Sequence, residues 1–172
     1  METATYKRQF SSLKTARVAG KNAPHKAILL LAIIDLVEIG DIDSPRIELT
    51  DRLEEAFCRI WKRYIGTSLI FQPKVSTPFW HLLTEPFYRL FISSGQQING
   101  GTGRYSVKWL RNNTYAMIDE QLLILMQDEN SRAELRVLLI SKYLQEQHVG
   151  VGGNMLTSTI ISILGLLLQT AA

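Results

Sequence analysis

His25, His81 and His148 are the three imidazoles of this chain and Cys58 is its one thiol, so metal-bound or nucleophilic chemistry would have to start from them. Their spacing supports neither. No pair of histidines falls in HExxH, and no second cysteine stands by to complete a zinc tetrahedron. Cys58 lies between Phe57 and Arg59 within a helical pattern, the setting of an inert packed thiol. Gly100-Gly101-Thr102-Gly103-Arg104 lacks the Gly-Lys-Ser/Thr ending of a phosphate-cradling loop, and its glycines read as freedom at a hairpin tip. Asp119-Glu120 and Asp128-Glu129 bracket a helix, where carboxylates serve as caps. Catalysis is therefore not expected within these 172 residues, and neither is a metal or any other cofactor.

The basic side chains carry more information. Residues 1–26 hold six Lys and Arg against Glu2 alone, and residues 57–111 hold eight against Glu85 alone. Between them, residues 27–56 carry eight acids and only Arg46 and Arg52. Two cationic stretches parted by an acidic one suit a molecule that turns one face to phosphates and leaves another solvated. Ordinary charge scatter is the competing reading. The length fits one domain with a sizeable core, and 46% hydrophobic with 20% charged residues excludes wholesale disorder. The lone cysteine excludes an intrachain disulfide framework. The start Met-Glu-Thr-Ala shows no basic segment followed by an apolar one, which predicts a cytoplasmic protein.

Several elements must position those charges. Pro24 followed by Lys26–Ile39 and Gly40 predicts a helix, apolar almost all round from Ala27 to Ile34 and so central and buried. Arg46–Leu49 predicts a short strand. Thr50 then caps a helix over Asp51–Tyr64, whose Leu53, Ala56, Phe57, Ile60, Trp61 and Tyr64 form one apolar stripe. Phe79–Leu83 and Phe87–Phe91 predict an aromatic hairpin, and Arg104–Trp109 a third strand after a glycine-rich loop. Helices resume over Asp119–Met126 and again from a capping box at Ser131 to about Gln147. Trp61, Trp80 and Trp109 are expected in the core. The expected fold is α+β: a mainly helical domain, winged-helix-like, with a buried central helix and a small antiparallel sheet.

The chain divides into a domain over 1–148 and a glycine-hinged apolar tail over 149–172. The tail's unbroken apolar run from Ile160 to Leu168 is about half the ~20 residues that span a bilayer, so docking on the body or on a second copy is expected instead.

Taken in order, Ala23-Pro24-His25-Lys26-Ala27, Ile47-Glu48-Leu49-Thr50, Thr77-Pro78-Phe79-Trp80-His81-Leu82, Phe87-Tyr88-Arg89-Leu90 and Tyr115-Ala116-Met117-Ile118-Asp119 form a telling succession. With Ser131–Arg136 and Tyr143, it resembles the sulfur-binding domain that precedes the HNH nuclease domain in phosphorothioate-dependent (type IV) restriction endonucleases. The resemblance covers roughly residues 5–147. It implies a module that recognises double-stranded DNA in which sulfur replaces a non-bridging phosphate oxygen, with cleavage left to a separate HNH domain.

A phosphorothioate keeps its charge, but its sulfur is larger, more polarizable and a poorer hydrogen-bond acceptor than oxygen. A reader of that difference should offer an apolar cup, in which an oxyanion would lose hydration without gaining donors, and cations on either side for the backbone. Pro78, after Thr77, is the candidate floor, with Phe79 and Trp80 behind it. Pro24, His25 and Lys26 open the buried helix, where backbone N–H groups favour an anion. The resemblance implies that His25 and Lys26 face the modified phosphate and that Thr77, Pro78, Phe79 and His81 line the sulfur cavity. Thr77 and His81 depart from the aromatic and small residues usual there, which makes the cup more polar. Arg17, Lys21, Lys74, Lys108 and Arg111 are expected to hold backbone phosphates, and Gln97 or Arg104 to reach base edges. Two other readings stay open: a generic winged-helix DNA binder indifferent to sulfur, and a membrane- or partner-associated protein acting through its tail.

Overall fold

The computed structural model describes residues 2–100 and 105–145. The element order is α1 (Glu2–Ser11), β1 (Arg17–Val18), β2 (Lys21–Asn22), α2 (His25–Glu38), β3 (Arg46–Ile47), α3 (Asp51–Tyr64), α4 (Ser76–His81), β4 (Tyr88–Ile92), β5 (Gln97–Ile98), α5 (Val107–Asn113), β6 (Thr114–Ile118), α6 (Glu120–Gln127) and α7 (Glu129–Tyr143). The fold is α+β, as expected, and α2 is its axis. An uninterrupted apolar sequence can form a stable helix only where every side is covered. Accordingly α2 packs against α3, α4, α6 and α7 and buries eleven of its fourteen residues. Gly40 ends it at φ +77°, a left-handed stop that glycine adopts without strain.

α3 follows the sequence expectation at both ends. The Thr50 hydroxyl accepts from Leu53 N, Asp51 and Glu54 lie in the positive first turn, and Lys62 and Arg63 lie in the last. Its apolar stripe seats on α2.

The sheet differs from the expected hairpin. Its strand order is β3-β6-β4-β5, antiparallel throughout, and the partners of β4 are β6 and β5 rather than residues 79–83. Those residues are helical instead. Pro78 occupies the first turn of α4, where amide hydrogens lack intrahelical partners and a proline loses nothing. Phe79 N closes the first turn onto Val75 O at 3.1 Å, and the Tyr88 hydroxyl donates to Phe79 O at 2.8 Å. The third strand also lies later than expected. Ser106 accepts from Trp109 N and starts α5 where a strand was predicted, so Thr114–Ile118 takes the ladder position. The last helix starts at Glu129 under an Asp128 cap that accepts from Ser131 N, not from a box at Ser131.

Three features have no counterpart among the expectations: α1, the pair β1–β2, and β5, which falls within the expected glycine-rich loop. α1 docks on α7 and buries Tyr6 and Phe10, and the Tyr143 hydroxyl donates to Phe10 O and accepts from Leu13 N. β1 and β2 form a two-stranded ribbon whose turn, Ala19-Gly20, has φ +50° and +78°. Among the described residues no helix is long and apolar enough to cross a membrane. The expected tail over 149–172 lies outside the described residues.

Candidate functional site

Residues 14–26 and residues 77–84, some fifty positions apart in sequence, meet at one recess of about 370 Å³. Lys14, Thr15, Ala16 and Ala23 form one wall, His25 and Lys26 the base, and Thr77, Pro78, His81 and Thr84 the other wall. The first wall exists because Ala23 N donates to Ala16 O at 2.8 Å, which draws the β1–β2 ribbon shut beside α2. The opposite wall is one face of α4 with Thr84 from the 3-10 turn that follows it: Thr77 and His81 are four residues apart and therefore align on a helix. Pro78 contributes ring carbon with no donor, so the interior is largely carbon edged by hydroxyl and imidazole groups.

The sequence-derived residues divide around this recess. His25, Lys26, Thr77, Pro78 and His81 line it together. Pro24 and Phe79 are buried and do not line it: Pro24 caps α2, and Phe79 is fully enclosed with its ring edge-on to Tyr88. Phe79 thus shapes the wall from behind, and its expected place in the cavity lining is corrected. Lys14, Thr15, Ala16, Ala23 and Thr84 were not anticipated. Lys14 belonged to the basic N-terminal stretch, but nothing local in the sequence marks the other four.

Lys26 is not a loose cation. It is 6% exposed, its Nζ donates to Glu85 Oε1 at 2.5 Å and to Thr84 Oγ1 at 2.8 Å, and Glu85 is itself 4% exposed. The same carboxylate oxygen accepts from Lys14 N at 3.0 Å. Burial pushes the Lys26 ammonium below its ordinary range, and the Glu85 carboxylate opposes that shift. Its charge is therefore spent inside the protein. Lys14 is the exposed ammonium at this edge, in no ion pair among the described residues.

His25 is held from three directions. Its Nε2 lies 2.8 Å from Gln72 O, so Nε2 carries the proton and donates to that carbonyl. Its ring packs against Trp61 at 4.8 Å and edge-on to Phe71 at 5.8 Å. The other nitrogen, Nδ1, is buried with no hydrogen-bond partner among the described residues. Burial lowers the His25 pKa from its ordinary 6.5, with the Gln72 bond opposing. Burial likewise lowers that of His81, helped by the nearby Lys26 charge. Both shifts favour the neutral imidazole at pH 7, in which one ring nitrogen donates and the other only accepts, and in His25 the accepting nitrogen is the buried Nδ1.

The outlying cations differ in kind. Arg17 and Lys21 stand on the ribbon next to the first wall, and Arg17 Nε donates to Gly20 O at 3.1 Å. Lys74 is exposed just ahead of α4, its carbonyl accepting from Thr77 N at 3.2 Å. Lys108 is exposed on α5, and Gln97 is exposed on β5, the outermost strand of a sheet that contributes nothing to the recess lining. Arg111 turns inward. It binds Asp51 at 2.6 Å, Glu54 at 2.8 Å and Leu49 O at 2.9 Å, which corrects its expected place on a phosphate. Arg104 lies outside the described residues. Trp61 and Trp80 are buried as expected, but Trp109 is 36% exposed, stacked on Tyr105 at 4.4 Å.

Solved structures share this arrangement of elements. The sulfur binding domain of SprMcrA, complexed with phosphorothioated DNA, matches with a TM-score of 0.61 over 82% of this chain and 85% of that one, at 19% identity. The chain has the sulfur-binding-domain fold. The sulfur binding domain of ScoMcrA, also complexed with phosphorothioated DNA, matches with a TM-score of 0.57 at 20% identity, over 85% of this chain and 91% of that one. No family model and no curated protein matches the sequence.

Proposed function

We propose that this chain binds double-stranded DNA carrying a phosphorothioate linkage and acts as the recognition module of a modification-dependent restriction system, with cleavage carried out by a separate HNH domain. The single observation that supports this reading is the recess itself: a carbon-rich hollow with a proline wall, at the N-terminus of a buried helix, in a sulfur-binding-domain fold. Sulfur seats against Pro78, Ala16 and Ala23 at little desolvation cost, whereas a phosphate oxygen there gives up water for carbon. Lys14, Arg17, Lys21 and Lys74 hold the neighbouring phosphates, and these contacts set position and salt dependence without reading sequence. Thr77 and His81 at the rim offer a hydroxyl and an imidazole to the remaining oxygens of the gripped phosphate.

The polar rim also favours a second reading. Thr15, Thr77 and His81 place hydroxyl and imidazole groups where a sulfur-free phosphate could find donors, whereas the Thr84 hydroxyl already donates to His81 O at 3.0 Å. A generic DNA binder would use the recess in that way. Titration of matched duplexes with and without one phosphorothioate, at fixed salt, separates the two. A preference for the modified duplex is expected, and equal affinity leaves only the generic reading.

A further inference from the structure

The loop joining α3 to α4 has apolar side chains at its tip and cations around its base. Leu69 is fully exposed and Ile70 is 38% exposed, adjacent in sequence, although neither is needed to cover the core. The tip is stiff. Ser68 Oγ accepts from Ile70 N at 3.2 Å and from Phe71 N at 3.1 Å, and Gln72 Nε2 donates to Ser68 O at 3.4 Å. Phe71 is buried against His25, and Gly66, at φ +61°, returns its N–H to Trp61 O. Two leucine-sized groups are therefore held out in water by a turn whose ordering is already complete in the fold, which lowers the cost of using them in a complex.

The tip is also tied to the recess. His25 lines the recess and donates to Gln72 O, three residues beyond Leu69. No acid occurs between Glu55 and Glu85, while Lys62, Arg63 and Lys74 fall in that span beside Arg59, which pairs with Asp35 at 3.1 Å. Short apolar side chains among cations are what DNA-bending proteins push between base steps from the minor groove. A protein partner is a poorer fit, because two side chains fall far short of the ~1,200 Å² that a stable interface buries.

We propose that Leu69 and Ile70 form a groove wedge: with the backbone gripped at the recess, the tip enters the adjacent minor groove and opens a base step. This rests on the DNA-binding reading above, but it does not require the sulfur preference.

The test uses the whole chain, a duplex with one phosphorothioate, its unmodified match, and dyes at the duplex ends to report bending. Leu69→Ser/Ile70→Ser is compared with wild type, and Ile124→Ser, on the exposed face of α6, serves as a control. The double variant should weaken binding to both duplexes by roughly tenfold or more, the scale set by leucine-sized surface left in water, and reduce the bend. The ratio between the duplexes should stay fixed, and Ile124→Ser should change nothing.

Unchanged affinity and bend in the double variant overturn the wedge. So does loss of the sulfur preference alone, which would put the tip inside the sulfur reading. Binding of wild type to anionic phospholipid vesicles that the double variant loses, with DNA affinity unaltered, overturns it in favour of a membrane contact. Equal affinity of wild type for the two duplexes sinks the sulfur reading and leaves the wedge to be judged on either duplex. Failure of wild type to bind DNA at all sinks both.

Discussion

Removing the Lys26 ammonium tests whether that charge belongs to the fold or to a ligand. In Lys26→Met the Glu85 carboxylate stays buried, keeping the Lys14 N–H at 3.0 Å and the Thr84 hydroxyl at 3.4 Å but losing its counter-charge. Breaking one side of a buried pair costs roughly 3–5 kcal/mol. Against a total stability of ~5–15 kcal/mol that is about a fifth or more, and a fall in Tm of roughly 6–20 °C. Lys26→Met/Glu85→Gln should recover most of it, because the glutamine oxygen still accepts from Lys14 N and no charge is stranded. Urea unfolding followed by circular dichroism at pH 7 measures both variants. The double variant should also leave the slope of log K against log salt for duplex binding unchanged, whereas losing a phosphate-bound lysine would reduce it by about 0.9. The reasoning fails if Lys26→Met unfolds within about 1 kcal/mol of wild type, the scale of a surface pair. It also fails if the double variant is no better than the single, or if the salt slope drops.

Pro78→Asp should abolish the preference for the modified duplex, since it sets a carboxylate in the recess wall against an anion; a retained preference in matched titrations would move the sulfur elsewhere. Arg111→Ala should destabilise the fold by roughly 1–3 kcal/mol in urea, through the lost bonds to Leu49 O and Glu54, and leave duplex affinity per folded molecule unchanged. Stability should fall as pH drops below 6.5, because burial holds His25 and His81 below that value and the unfolded chain takes up the protons first; thermal melts from pH 7.5 to 5 measure this, and the drop should shrink in His25→Gln.

What the sequence disclosed follows from how local each signal is. α2 and α3 were legible because an all-round apolar run, a one-sided stripe and a Thr50 cap each lie within one element. The run Phe79–Leu83 had no such mark: five residues without a polar alternation fit a strand or a buried helix equally, and the Tyr88 bond to Phe79 O settles it only in the fold. α1 presents little beyond Tyr6 and Phe10 to a core, and the ribbon strands are two residues each, too short for any periodicity. At the site, seven residues were expected, and five of them, His25, Lys26, Thr77, Pro78 and His81, share the recess, while Pro24 and Phe79 lie outside its lining. The state of Lys26 was hidden because its partner lies 59 residues away, and Arg111 looked like a surface cation until Glu54 and Leu49, 57 and 62 residues off, came beside it. Partners so distant leave no spacing for a sequence pattern to register.

The helix that carries His25 and Lys26 is clamped on all sides by four others, so the base of the recess has no slack in which to rearrange. A site built on such a rod is finished before its ligand arrives. Association should then show no slow isomerisation of the protein, its rate rising as ionic strength is lowered and the lysine-rich rim steers the encounter.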